Sequence, residues 1–159
     1  MERFIKEELG LTQTCFFPNG DILDSYYKKK CARRLEWNKD DIYIAAGGLS
    51  STIEDAYNFV KLTLDSDKPY IKENTKKRKT ILFGRAKIGV GYGWHSYVNG
   101  QYFFHKGGAC CFRSNYIVNT KKKIGIAILT NVVGNIYYNA STLGMSIYKD
   151  VKEALKINN

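Results

Sequence analysis

The chain has 159 residues, of which 44% are hydrophobic and 25% charged, the balance of an ordinary globular protein, so one domain over residues 1–159 is expected. No apolar run approaches the about 18 residues of a membrane span, and the charged start Met1-Glu2-Arg3-Phe4-Ile5-Lys6-Glu7-Glu8 has no signal-peptide stretch, so neither a membrane span nor an export signal is expected in the chain as written. The formal net charge of +10 raises the question of an anionic partner.

Charge placement answers that question. The basic runs Lys28-Lys29-Lys30, Lys76-Lys77-Arg78-Lys79 and Lys121-Lys122-Lys123 fall in polar segments between apolar ones, without the interleaved aromatics that stack on bases. They read as solvated turns, and no nucleic-acid partner is expected. Cys15, Cys31, Cys110 and Cys111 show no C-x-x-C spacing, so no metal, no cofactor and a reduced, cytoplasmic chain are expected. An extracytoplasmic location stays open for a longer parent protein. Adjacent Cys110 and Cys111 read as small, semi-buried side chains.

In chain order, Arg3 to Leu9 reads as a short helix stopped by Gly10. From Thr12 to Asp41 the Pro18-Asn19-Gly20 turn and scattered aromatics suggest one or two short extended pieces. Ser51-Thr52-Ile53-Glu54 has the form of a capping box, and Ile53, Ala56, Tyr57, Val60 and Leu64 then recur on one helical face. Gly47-Gly48 gives a tight approach into that helix. Asp65 to Lys87 is lysine-rich and reads as a surface loop with one strand near Thr80 to Phe83.

Aromatic and β-branched residues dominate Gly91 to Tyr97, Gln101 to Lys106, Phe112 to Asn119 and Ile124 to Asn131, with Asn99-Gly100 as a hairpin turn. These predict an antiparallel meander of three to five strands. Ile124-Gly125-Ile126-Ala127-Ile128-Leu129 is apolar on both faces, the pattern of a central strand under a helix layer. The last helix, Tyr137 to Lys156, carries Ala140, Leu143, Ile147, Val151 and Leu155 on one face and is expected to cover the sheet. This order predicts an α+β fold.

Three stretches then carry a resemblance. Glu8-Leu9-Gly10-Leu11-Thr12-Gln13-Thr14 looks like P-L-G-M-x-x-T with glutamate for proline, and Ala46-Gly47-Gly48-Leu49-Ser50-Ser51-Thr52-Ile53-Glu54-Asp55 is similar to A-G-G-L-x-S-T-x-x-D. Gly91-Tyr92-Gly93-Trp94, followed by Phe104-His105-Lys106-Gly107-Gly108, is similar to G-Y-G-W and H-x-G-G. In this order the chain resembles the serine β-lactamase and penicillin-binding-protein superfamily, in its class C-like branch with D-amino-acid peptidases and esterases. The fold implied is a partial β-lactamase/transpeptidase fold.

The activity implied is acyl transfer by a serine, assisted by a lysine three residues on and by a tyrosine or similar base. By position, His105 is the third-motif side chain, Gly107 the close-approach glycine, and Gly108 the oxyanion-hole amide. The family's S-x-x-K and Y-x-N precede the segment matched by Glu8 to Thr14. The resemblance therefore implies that both lie upstream of Met1 and that the chain is the C-terminal half, inactive alone.

Ser25-Tyr26-Tyr27-Lys28, Ser146-Ile147-Tyr148-Lys149, Tyr97-Val98-Asn99 and Tyr137-Tyr138-Asn139 match those strings without their context. Cys110-Cys111 stands where the family often has proline and glycine, and no spacing supports a catalytic Cys–His pair. His95, Trp94, Tyr92, Tyr102 and Phe103 read as structural.

Three classes remain. The first is part of a serine hydrolase acting on a β-lactam, D-alanyl peptide or ester, with a small-molecule or peptidoglycan-like substrate once an N-terminal half completes it. The second is a noncatalytic binding or self-associating module, and the third a basic surface-binding protein. Loss of outer strands implies an open sheet edge and a homo-oligomer.

Overall fold

A computed structural model of the chain describes residues 1–19, 22–28, 30–32, 37–97, 102–133 and 139–157. A single π-helical turn, Phe4–Glu8, buries Ile5 and ends where Gly10 takes a φ of +70°, a conformation that costs glycine nothing. Thr14 and Gln13 then reach the helix that follows the glycine pair. Thr14 Oγ1 donates to Asp55 Oδ2 at 2.7 Å, the Gln13 amide donates to the same oxygen at 2.8 Å, and Asp55 is only 3% exposed. Cys15 and Ser50 exchange a pair of backbone hydrogen bonds beside this contact.

Helix α1 (Ile44–Gly47) leads into α2 (Ile53–Asp65). The cap of α2 is Thr52, whose side chain accepts from the Asp55 amide, one residue later than the expected Ser51. Ser51 Oγ lies 2.8 Å from Thr14 Oγ1 and is engaged there. Ala56, Val60 and Leu64 face the core as expected, joined by Phe59 and Thr63, whereas Ile53 and Tyr57 are exposed. The buried stripe is thus rotated toward Phe59, which finds an aromatic partner on the sheet. Helix α3 (Pro69–Asn74) follows, with proline at its first position, where a missing N–H costs no hydrogen bond.

Six antiparallel strands form the main sheet in the order β3-β4-β5-β6-β7-β8: β3 (Lys79–Phe83), β4 (Ala86–Val90), β5 (His95–Tyr97), β6 (Phe103–Ala109), β7 (Phe112–Asn119) and β8 (Ile124–Thr130). The sequence predicts three to five. Strand β3 coincides with the strand expected near Thr80 to Phe83, and its hairpin partner β4, with the exposed Lys87, has the composition of a loop. Gly91 to Trp94 is a turn closed by the Gly91 amide on Trp94 O, so β5 begins only at His95. The Asn99-Gly100 turn lies outside the described residues. A small second sheet joins β1 (Ser25–Tyr27), antiparallel to β2 (Lys30–Ala32) and parallel to β9 (Val132–Val133).

Helix α4 (Ala140–Ile157) covers one face of the sheet. Its buried side is Ala140 and Tyr148, with Met145 packed beside them, and Tyr148 OH accepts from Asn119 Nδ2 at 2.8 Å. Leu143, Ile147, Val151 and Leu155, expected to face the core, are instead 37–49% exposed. Small residues at Ala140 and Gly144 bring the helix close to the sheet, and the large aliphatics stand on its flank. Strand β8 is sandwiched between α2 and α4, as its two apolar faces predict, but among the described residues it is an edge strand with β7 as its one neighbour.

The α2–β8 contact depends on Gly125. A Cβ there would overlap Val60 and Leu64 of α2. Gly125→Ala is expected to destabilise the chain by about 1–3 kcal/mol in urea unfolding, the usual cost of overpacking a core. An unchanged midpoint would mean that α2 does not rest on β8.

Candidate active site

Strand β6 carries the three residues singled out in the sequence, and the register gives each a face. His105 pairs with Tyr116 and Gly107 with Ser114, while Lys106 pairs with Asn115. Tyr116 meets Phe59 of α2 edge-on, with centroids 6.1 Å apart, so His105 lies on the α2 face. Asn115 Nδ2 donates to Ala140 O, which puts Lys106 on the α4 face. Gly107 and Gly108 continue the strand, and a Cβ at Gly107 would press on Ser114 Oγ.

Along its length β6 is paired on one side by β7, from Phe103–Val118 to Ala109–Phe112. On the other side β5 pairs only with Phe103 and Phe104. From His105 to Ala109, no described strand covers that edge. Trp94, immediately before β5, stacks on Phe59 with centroids 6.3 Å apart and planes 4° from parallel, and this anchors the point where β5 begins. Gly107 also borders a cleft of about 480 Å³ formed with Lys106, Arg113, Ser114 and the first turn of α4.

A family model described as Beta-lactamase matches residues 9–142. The chain belongs to the Beta-lactamase family. Its fold is also that of a solved relative: the structure of the octameric penicillin-binding protein homologue from Pyrococcus abyssi superposes with a TM-score of 0.73 at 20% sequence identity. That likeness covers 96% of this chain and 36% of the other, so the chain spans about a third of its neighbour's length. No curated protein matches it.

As a member of the Beta-lactamase family, the chain joins two of its three resemblance segments around one carboxylate: Thr14 and Gln13 of the first bind Asp55 of the second, and Thr14 also meets Ser51. The stray S-x-x-K strings behave differently. Ser25 and Lys28 lie on and just after β1, an extended segment where three residues span about 10 Å, and not on one helical turn. Ser25 is fully buried, with its Oγ 4.0 Å from Cys110 Sγ. Ser146 and Lys149 share one turn of α4, on the sheet face opposite His105. Residues 98, 99, 137 and 138 of the Y-x-N strings lie outside the described residues. Cys110 sits at φ +50° at the tip of the β6–β7 hairpin.

His95, read as structural from the sequence, lies beside His105. Its ring lies 5.5 Å from that of His105, nearly parallel at 21°, and 5.8 Å from Phe104. The Gly91–Trp94 motif hid it, because the turn changes which residue opens β5. No group of three or more metal-ligating side chains occurs among the described residues. Partial burial, and then the charge of His95, hold the His105 imidazole below its ordinary value of 6.5.

The neutral ring is therefore the folded-state form, and the unfolded chain binds the extra proton first as pH falls. The contribution of His105 to stability is full above 6.5 and is lost as pH drops below it, while the folded ring resists protonation. His95→Phe is expected to move the His105 titration upward in an NMR pH series. No movement would show that the two rings do not interact.

Proposed function

We propose that this chain supplies the third-motif half of a β-lactamase or penicillin-binding-protein type acyl-transfer site. The observation that carries the reading is the uncovered β6 edge beginning at His105. A substrate backbone can extend along such an edge, and the two glycines leave room for it. His105 hydrogen-bonds the substrate, Gly107 permits close approach, and the Gly108 amide donates to the developing oxyanion.

The nucleophilic serine and its lysine come from polypeptide outside these 159 residues. The serine oxygen bonds to the substrate carbonyl carbon while its proton passes to the base. Collapse of the tetrahedral intermediate expels the amine or alkoxide, which takes that proton, and water later releases the acyl group. The substrate class is a β-lactam, a D-alanyl peptide or an ester. The chain alone carries no turnover, since neither S-x-x-K string lies on a helical turn near His105.

A second reading, a noncatalytic self-associating module, is favoured by a different observation. The edge of β8 and the exposed flank of α4 are apolar surface of the kind that a partner covers. An octameric assembly is the state named for the Pyrococcus abyssi homologue. No helix among the described residues is long and apolar enough to cross a membrane.

Fluorescent penicillin distinguishes the readings. A serine adduct is expected on a longer polypeptide that adds an upstream S-x-x-K, and none on the 159-residue chain; in the longer polypeptide, Gly108→Pro, which removes the amide, is expected to slow acylation by about 100-fold or more. Labelling of Ser25 or Ser146 in the chain alone would contradict the proposal.

A further inference from the structure

Direction alternates from strand to strand in the main sheet, so the β3–β4 and β7–β8 turns leave it at the same end. The first turn is Gly84-Arg85, with Gly84 at φ +60°, and the second contains the lysine run 121–123. This is the end away from the candidate site. Phe104 and Val90 both face His95 in register, Gly107 stands three residues beyond Phe104, and Lys87 stands three residues before Val90. About 20 Å of strand therefore separates the level of Lys87 from that of Gly107.

Arg85, Lys87, Lys121 and Lys122 are exposed at this far end, and among the described residues none of them is in an ion pair. Other cations of the chain are engaged: Lys76 and Arg78 bond Glu73, Lys72 bonds Asp67, and Lys123 bonds Asp65. Tyr148 meets Asn119 beside the second turn, and the α4 residues that follow add Lys149, Lys152 and Lys156 against Asp150 and Glu153. The end is thus strongly positive. It also presents an apolar side chain to solvent. Leu82 is 71% exposed and directly opposite Lys87, so the two leave the sheet on the same side.

We infer that this end of the sheet is a peripheral docking surface for an anionic lipid bilayer. The cations lie over the headgroups, and Leu82 enters the interfacial layer beside them. Leucine is what distinguishes a bilayer from a polyanion in water. A nucleic acid would meet the lysines but give that side chain no apolar surroundings, and the run 121–123 has no aromatic within it on which bases stack. Each basic residue held at an anionic membrane surface strengthens binding by about fivefold. The attraction is screened by salt, with a Debye length of about 10 Å at 0.1 M, so binding weakens as sodium chloride is added. Docking at this end turns the β6 edge away from the bilayer. The surface goes beyond the acyl-transfer reading and is tested apart from it.

The purified chain is expected to sediment at low salt with vesicles of phosphatidylserine and phosphatidylcholine in equal amounts, and to stay in solution with phosphatidylcholine alone. Lys121→Gln combined with Lys122→Gln is expected to weaken binding by about 20-fold, and Arg85→Gln combined with Lys87→Gln by a similar factor. Leu82→Ser is expected to weaken it by about threefold or more without changing its salt dependence. The control is Lys28→Gln combined with Lys30→Gln, beside β1, whose Ser25 lies near Cys110 at the site end. It removes the same charge and is expected to cost less than about threefold. All of these positions are exposed, so unchanged circular dichroism accompanies each result. An equal loss in the control overturns the inference, as does equal binding to the neutral vesicles. A chain that ignores the anionic vesicles at low salt also overturns it, and retention of a single-stranded oligonucleotide by that chain would assign the surface to nucleic acid instead.

Discussion

A buried carboxylate holds the molecule together. Asp55 takes hydrogen bonds from the Thr14 hydroxyl and the Gln13 amide, and its own amide is capped by Thr52. Forty-one residues separate Thr14 from Asp55, so this contact is what brings the N-terminal segment to α2. Buried groups of this kind are costly to leave unpaired, which makes the three partners interdependent. Once α2 is seated, Val60 and Leu64 press on Gly125 of β8, and Phe59 offers its ring to Trp94. The Trp94 stack fixes where β5 starts, and the late start of β5 leaves His105 to Ala109 of β6 uncovered. The candidate site is thus a consequence of helix placement at a distance, transmitted through one aromatic pair.

The electrostatics of the site follow from the same geometry. Because β5 opens at His95, the molecule's two imidazoles stack, and partial burial together with the second ring disfavours a proton on His105. A neutral imidazole donates and accepts hydrogen bonds without bringing a fixed positive charge to the strand. The cations of this region, Lys106 and Arg113, border the cleft with the first turn of α4. The net charge of +10 is spread over turns; Lys123, for instance, closes the β7–β8 turn at φ +54° and bonds Leu64 O and Asp65.

Much of this was legible in the residues. Alternating aromatic and β-branched runs marked β6, β7 and β8, and the three short motifs pointed to the family before any geometry was known. The differences have particular causes. Ser51 has the form of a cap, but its hydroxyl is committed to Thr14, and Thr52 caps instead. On α4, periodicity marks Leu143, Ile147 and Val151 as one apolar row without saying whether that row faces the chain's own sheet or another surface. The sheet selects the small Ala140 and Gly144 and the Tyr148 hydroxyl, for which Asn119 is the partner. Strand β3 matches the strand expected near Thr80 to Phe83, whereas its partner β4 was hidden because an exposed edge hairpin tolerates lysine.

The Thr14–Asp55 contact is open to a direct thermodynamic test, a double-mutant cycle of Thr14→Ala and Asp55→Ala followed by urea unfolding. A favourable coupling energy of about 1–3 kcal/mol is expected, with the double variant less destabilised than the two singles added together. Additivity within about 0.5 kcal/mol would contradict the account, because the carboxylate would then not be what joins the N-terminal segment to α2.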